Sequence, residues 1–286
     1  MLPFRSLGMT TVVLCCLPLT SFAEDAQPAV QAIVPTETIK LFNGVDLTNW
    51  YSWLEDDHLE DPRKVFSVQP DGLLHITGDG YGGLTTTQEY KDYHLIAEFR
   101  WGEKTWRNRV EKSRDAGILL HCQGPDGNFG RKQDQPGPWM ASLECQIIEG
   151  GVGDILVLRG PDADGKTIET TATCEVTKDR DGENVWTAGA PPQTFTSGRI
   201  NWFGRDPDWK DVLGFRGRQD VESPGQAWTT LECFCAGDSL VYRVNGTVVN
   251  RASKVFPRQG KILVQTECAE IFFRRIELRP LPGEIP

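Results

Sequence analysis

The chain has 286 residues, 40 of them acidic and 30 basic, and a formal charge of −10. Scattered basic residues on an acidic chain exclude the electrostatic footprint of a nucleic-acid or anionic-membrane binder. Residues 1–23 have the plan of a bacterial-type secretory signal. Arg5 supplies a short positive n-region, residues 9–19 are apolar apart from two Thr, and Ser21-Phe22-Ala23 puts small residues at −3 and −1. The apolar stretch is too short to span a membrane, and Pro18 breaks it. Leu14 stands where a lipoprotein signal before Cys15 needs a small residue, so the expectation is simple export, to the periplasm or the medium. Loss of this segment removes Arg5 and no acid, moving the charge from −10 to −11. Residues 24–38 read as a flexible leader, and 39–286 as one domain large enough for a sizeable core.

No segment sustains a 3.6-residue period. Short runs of β-branched and aromatic residues recur instead, separated by Gly, Pro, Asn and Asp. Residues 65–68 and 73–77 flank Pro70-Asp71-Gly72 and predict a hairpin. Further strands are expected at 94–101, 117–122, 142–148, 154–158 and 228–235. Asn245-Gly246 between 240–244 and 247–250 is the strongest two-residue hairpin signal in the chain. Strands at 261–265 and 271–278 complete a sandwich or barrel. Residues 160–226 break the rhythm with polar, Gly- and Pro-rich stretches. Trp202, Phe203, Trp209 and Phe215 within them predict an ordered excursion over one edge or face.

Six of the eight Cys follow the signal segment: Cys122, Cys145, Cys174, Cys233, Cys235 and Cys268. Export permits disulfides, but most of these Cys fall in strand-like runs and read as buried thiols, with at most one or two bridges. Cys233-x-Cys235 has the wrong spacing for a zinc knuckle.

Five segments in order resemble the 3-keto-disaccharide hydrolase domain family. Residues 41–50, LFNGVDLTNW, are similar to its opening motif, and Gly117-Ile118-Leu119-Leu120-His121 resembles its "SGIxxR" strand. Glu144-Cys145-Gln146-Ile147-Ile148-Glu149 resembles "ExQIxD", residues 228–246 the segment ending in "VNG", and residues 260–276 "GxIxLQ…FRNI". Ala116, His121, Glu149 and Arg275 depart from those patterns. The resemblance implies an all-β, concanavalin A-like jelly roll of two antiparallel sheets, a carbohydrate substrate bound on the concave one, and activity on 3-keto sugars.

Side chains alternate across a strand, so Glu144 and Gln146 share one face while Cys145 and Ile147 point into the sandwich. The same rule groups Gly117, Leu119 and His121. A polar cluster on one sheet face is therefore expected, with Glu144 and His121 as candidate bases and Gln146 beside them. Glu149 ends its strand as a further candidate or a rim charge. Arg109 and Arg114 precede the Gly117 strand as candidate donors to a sugar or an enolate, and Trp139 is a candidate platform under a pyranose ring. His75 and His94 read as structural. The acidic run around His58 and a divalent ion in the site remain open alternatives, and no cofactor is called for.

A ketone at C3 acidifies the C2 proton, so one base and an electrophile at the enolate oxygen suffice to expel the C1 substituent, and water addition completes hydrolysis. A retaining β-glucanase on the same fold would carry an E-x-D-x-x-E or E-x-D-x-E strand, and Gln146 occupies its middle acid position. A non-catalytic carbohydrate-binding module, which needs only an aromatic platform and donors, is the remaining alternative. The mature protein is expected to begin near Glu24. Mass spectrometry that finds residues 1–23 retained, or a diacylglycerol on Cys15 or Cys16, overturns this.

Overall fold

Strict alternation of large apolar residues builds the long central strands. In residues 93–101, Tyr93, Leu95, Ala97, Phe99 and Trp101 are buried in the main core, whereas His94, Glu98 and Arg100 face away. The computed structural model describes residues 31–132 and 135–286, and the expected signal segment lies outside them.

The strands among the described residues begin with β1 (Ile39–Lys40), β2 (Trp50–Leu54), β3 (Phe66–Val68), β4 (Leu74–Ile76), β5 (Tyr81–Thr86) and β6 (Tyr93–Thr105). There follow β7 (Asp115–Gln123), β8 (Ala141–Ile148), β9 (Ile155–Leu158), β10 (Thr171–Lys178), β11 (Asn184–Trp186) and β12 (Pro192–Phe195). The last are β13 (Gly198–Ile200), β14 (Thr229–Ala236), β15 (Ser239–Val244), β16 (Thr247–Phe256), β17 (Lys261–Glu267) and β18 (Ala269–Arg279). They form two antiparallel sheets. The larger has 11 strands, in the order β11-β10-β16-β15-β14-β6-β18-β4-β3 with β1 on β18 and β12 on β10. The smaller has seven, in the order β13-β9-β8-β7-β17-β5-β2. The core lies between them, and this is the jelly-roll sandwich that the resemblance implied.

The hairpin at Asn245-Gly246 joins β15 to β16 with both turn residues at positive φ, 47° and 84°, as a primed turn requires. The excursion departs from expectation in content. Four strands, β10 to β13, lie within it; three extend the larger sheet and β13 forms the edge of the smaller one. Trp202 and Phe195 enter the core, while Trp209 and Phe215 meet edge-on above Gly150. The later part of the expected leader is also ordered. Ala32 is buried, the Ile33 amide donates to Glu89 O at 2.8 Å, and the Lys91 amide donates to Ile33 O at 3.0 Å.

The six Cys of the domain are all buried free thiols, five of them in the two apolar clusters, so none of the permitted bridges is present. Alkylation after unfolding without reductant is expected to modify six thiols on the mature chain; a smaller number counts against this arrangement. Ile147→Ala, in the core-facing set of β8, should lower stability by about 2–5 kcal/mol in urea titrations, because a fully buried branched side chain is replaced by a cavity.

Candidate functional site

The middle of the smaller sheet is β8–β7–β17. The register sets Gly117 opposite Gln146, Leu119 opposite Glu144 and Leu263 opposite Leu119. Asp115, Gly117 and Leu119 of β7, Glu144 and Gln146 of β8, and Leu263, Gln265 and Glu267 of β17 thus share the face turned away from the larger sheet. Cys145 and Ile147 point into the main core, as alternation requires. The shared face has an apolar half and a polar half. Leu119, Leu263, Met140, Leu158 and Cys122 form a second small cluster, covered by Phe129, Trp139 and Leu156. Next to it lie the three carboxyls Asp115, Glu144 and Glu267.

Glu144 is held there by what residue 117 lacks. A β-carbon at Gly117 would stand 2.2 Å from Glu144 Oε1 and 2.9 Å from Gln265 Oε1, so only glycine leaves room for the two side chains leaning over β7. Both oxygens are buried and have no hydrogen-bond partner among the described residues. The other two carboxyls are engaged. Arg109 Nη2 donates to Asp115 and, at 3.2 Å, to Glu267 Oε1, and Gln146 Nε2 also donates to Asp115. Arg199, from β13, donates through Nη2 to Gln146 Oε1 and through Nη1 to Asp154 Oδ2, each at 3.2 Å. Asp154 is fully buried and also accepts from Arg205 Nη1 at 2.9 Å and from the Trp202 amide at 2.8 Å.

Burial and mutual repulsion dominate the acidities. Burial, reinforced by the charge of Asp115 and opposed by Arg199, pushes Glu144 up to about 8. Glu267 rises to about 7 through burial and the charge of Glu144, against the pull of Arg109 and Arg199. Asp115 is raised by burial and by Glu267, with both arginines opposing. The result is a floor of weakly acidic carboxyls in which Glu144 alone lacks a fixed partner. The partly exposed side chains around it are Tyr81, Trp139, Leu156, Arg199 and Glu267.

The expected residues divide accordingly. Glu144 and Gln146 share the face, Arg109 reaches it, and Trp139 borders it, with its Nε1 donating to Gly82 O at 3.0 Å and its ring edge-on to Tyr81 at 6.0 Å. Glu144 and Gln146 are each only 2% exposed, so they form a buried floor and not an open surface.

His121 does not join them. A bulge between Leu120 and Gln123, with His121 at φ 57°, breaks the alternation and turns the ring inward. The ring meets Tyr93 of the larger sheet at 5.6 Å, and Nδ1 donates to Pro257 O at 2.9 Å. Burial lowers its pKa to about 4, so it is neutral and remote from Glu144's face.

Arg114 and Glu149 are occupied with each other at 2.6 Å. Glu149 Oε2 also accepts from the Gly214 amide at 2.8 Å, which fastens the excursion to the end of β8. In the acidic run, Asp57 pairs with Arg63 and Asp56 with Arg107, each at 2.6 Å. Among the described residues the carboxylates grouped closely enough to share a cation are Asp179, Asp181 and Glu183, on the β10–β11 turn of the larger sheet.

Gln265, Glu267 and Arg199 were not singled out as site residues in the sequence. For Gln265 and Glu267 the period-2 rule applied across β17 was an available signal. Arg199 carried none, because its position depends on how the excursion returns.

Solved structures that are similar to the chain are so at low identity. A Parabacteroides distasonis protein described as a candidate glycosyl hydrolase has a TM-score of 0.46 at 14% identity, covering 86% of this chain and 94% of its own. The carbohydrate-binding module CBM66 from Bacillus subtilis has a TM-score of 0.42 at 10% identity, covering 80% and 95%. The Bacillus licheniformis β-glucanase has 0.39 at 10%, covering 86% and 99%. No curated protein matches the chain. The sequence profile of the 3-keto-alpha-glucoside-1,2-lyase-like domain, which is the 3-keto-disaccharide hydrolase family, matches residues 37–279, and the chain belongs to that family.

Proposed function

We propose that the protein cleaves glycosides of 3-keto sugars, with Glu144 as the base. Family membership supports the substrate class. The observation that carries the reading is the buried, unpartnered Glu144 oxygen over Gly117, flanked by carboxyls already committed to arginine. Glu144 takes the C2 proton, and the C–H electron pair moves into an enolate whose charge rests on the C3 oxygen. Arg199, partly exposed and already close to Gln146, is the guanidinium assigned to that oxygen. When the ketone re-forms, the pair becomes a C1–C2 double bond and the glycosidic oxygen leaves C1, taking up the proton that Glu144 removed. Water then adds across the double bond, its hydroxyl to C1 and its proton to C2. Trp139 and Tyr81 supply aromatic faces for the sugar ring. The same proposal includes export of the protein by its N-terminal segment.

A single uncommitted carboxyl suits proton abstraction better than the opposed pair of a retaining glycosidase. In assays on 3-keto and unmodified disaccharides, turnover is expected on the keto substrate. Glu144→Gln should depress kcat on the order of 10²- to 10⁴-fold with little change in KM. Because a base acts deprotonated and burial raises Glu144 to about 8, wild-type turnover should climb with pH and level off above about 8. Trp139→Ala should raise KM and spare kcat, since stacking holds ground state and transition state alike. Full turnover by Glu144→Gln removes it as the base. Glycan binding without turnover by the wild type favours the binding-module reading.

A further inference from the structure

We propose that Asp211, on the segment between β13 and β14, is a positioning residue of the site: it fixes the guanidinium of Arg109 against Asp115 and Glu267, leaving Glu144 as the uncommitted carboxyl. Arg109 projects from a short 3-10 turn, Arg107–Arg109, outside the sheet. A long side chain in such a place is held only by what its planar head group meets. One nitrogen, Nη2, serves Asp115 and Glu267, and the other, Nη1, donates to Asp211 Oδ1 at 3.2 Å. Binding both ends of the guanidinium fixes its plane, which a single contact would leave free to turn.

Asp211 is itself anchored. Its Oδ1 accepts from the Ser113 amide at 3.2 Å, and Lys112 Nζ lies 3.5 Å from Oδ2. The Ser113 hydroxyl donates to Val212 O at 3.0 Å, and the Leu213 amide donates to Glu111 O at 3.0 Å. Two loops far apart in sequence are thus stitched together beside the floor, with Asp211 facing inward onto Arg109. The charged and titratable groups around Glu267 are Arg109, Asp115, Glu144, Arg199, Tyr81 and Cys268, and those around Asp211 are Arg109, Lys112 and Asp115.

The kinetic part of the proposal rests on Glu144 being the base; the contact itself is read without substrate. Asp211→Ser keeps an oxygen for the Ser113 amide but is too short for Arg109. With the side-chain carboxyls of the purified protein labelled with ¹³C, Glu267 should titrate near 7 in the wild type. In Asp211→Ser its midpoint should move upward on the order of one unit, because a loosened guanidinium holds the carboxylate less well. Asp211→Glu should return it toward the wild-type value. Should Asp211→Ser fail to fold, Asp211→Thr, which likewise keeps a hydroxyl for the Ser113 amide and is too short for Arg109, is expected to give the same rise. A downward shift, which removal of a like charge alone would cause, or no shift, overturns the proposal. On 3-keto substrate Asp211→Ser should lower kcat about tenfold with KM unchanged. A wild type without turnover defeats the functional reading alone, since the titration still reports on Asp211.

Discussion

Three carboxyls buried side by side repel one another, and Asp115, Glu144 and Glu267 are tolerated on the smaller sheet because guanidinium groups reach them from outside the three strands that carry them. Arg109 binds two of them, and Arg199 lies close enough to pull down the pKa of all three. Neither arginine belongs to the strands that carry the carboxyls. Arg199 comes from the edge strand that the excursion adds, and Arg109 from the loop before β7, where the excursion's Asp211 meets it. The excursion therefore completes the electrostatics of a floor that the central strands would otherwise leave unbalanced. Its hold on the sheet through Asp154, Arg205 and Glu149 belongs to the same arrangement.

β8 shows how little sequence separates packing from chemistry. Cys145 and Ile147 close the core, and Glu144 and Gln146, one residue along, build the floor. A slip of one residue would put two carboxyl-bearing or amide side chains into the core and two apolar ones onto the floor. Gly117 supplies the matching constraint on β7, because any side chain there would occupy the volume that the Glu144 carboxyl fills.

Where alternation was strong, the fold was legible: β6, β8, β14 to β18 and the Asn245-Gly246 hairpin follow from period and turn chemistry. β5 was not, because Gly82 and Gly83 dilute its propensity, though both lie too near Trp53 and Leu263 for a side chain. The four strands of the excursion were hidden for another reason. β12 is largely exposed and β10 only half buried, so neither carries the apolar stripe that marks a strand. Of the candidate site, the shared face of Glu144 and Gln146 follows from period 2, whereas their choice as site residues drew on the family resemblance. His121 was misplaced by the same rule, since a bulge adds a residue that no local pattern announces. The contacts of Arg199 and Asp211 are set by tertiary return of the chain, which a linear pattern does not encode.

The arrangement also has a thermodynamic consequence. Glu144 and the likewise buried Glu222 are pushed up to about 8, and Glu267 to about 7, each chiefly by burial, from a reference of 4.5. A carboxyl whose folded pKa lies above its unfolded value stabilises the fold fully below the unfolded value and loses that contribution as pH rises through the folded one. The loss here runs from pH 4.5 to about 8, with a slope approaching about 1.4 kcal/mol per pH unit for each group that is ionised in the unfolded chain and protonated in the folded one. The deprotonated form that a base needs is the form the folded protein tolerates least. A floor made reactive by burial is thus a local destabilisation, and it persists because the two-sheet core beneath it is made largely of buried apolar and aromatic side chains.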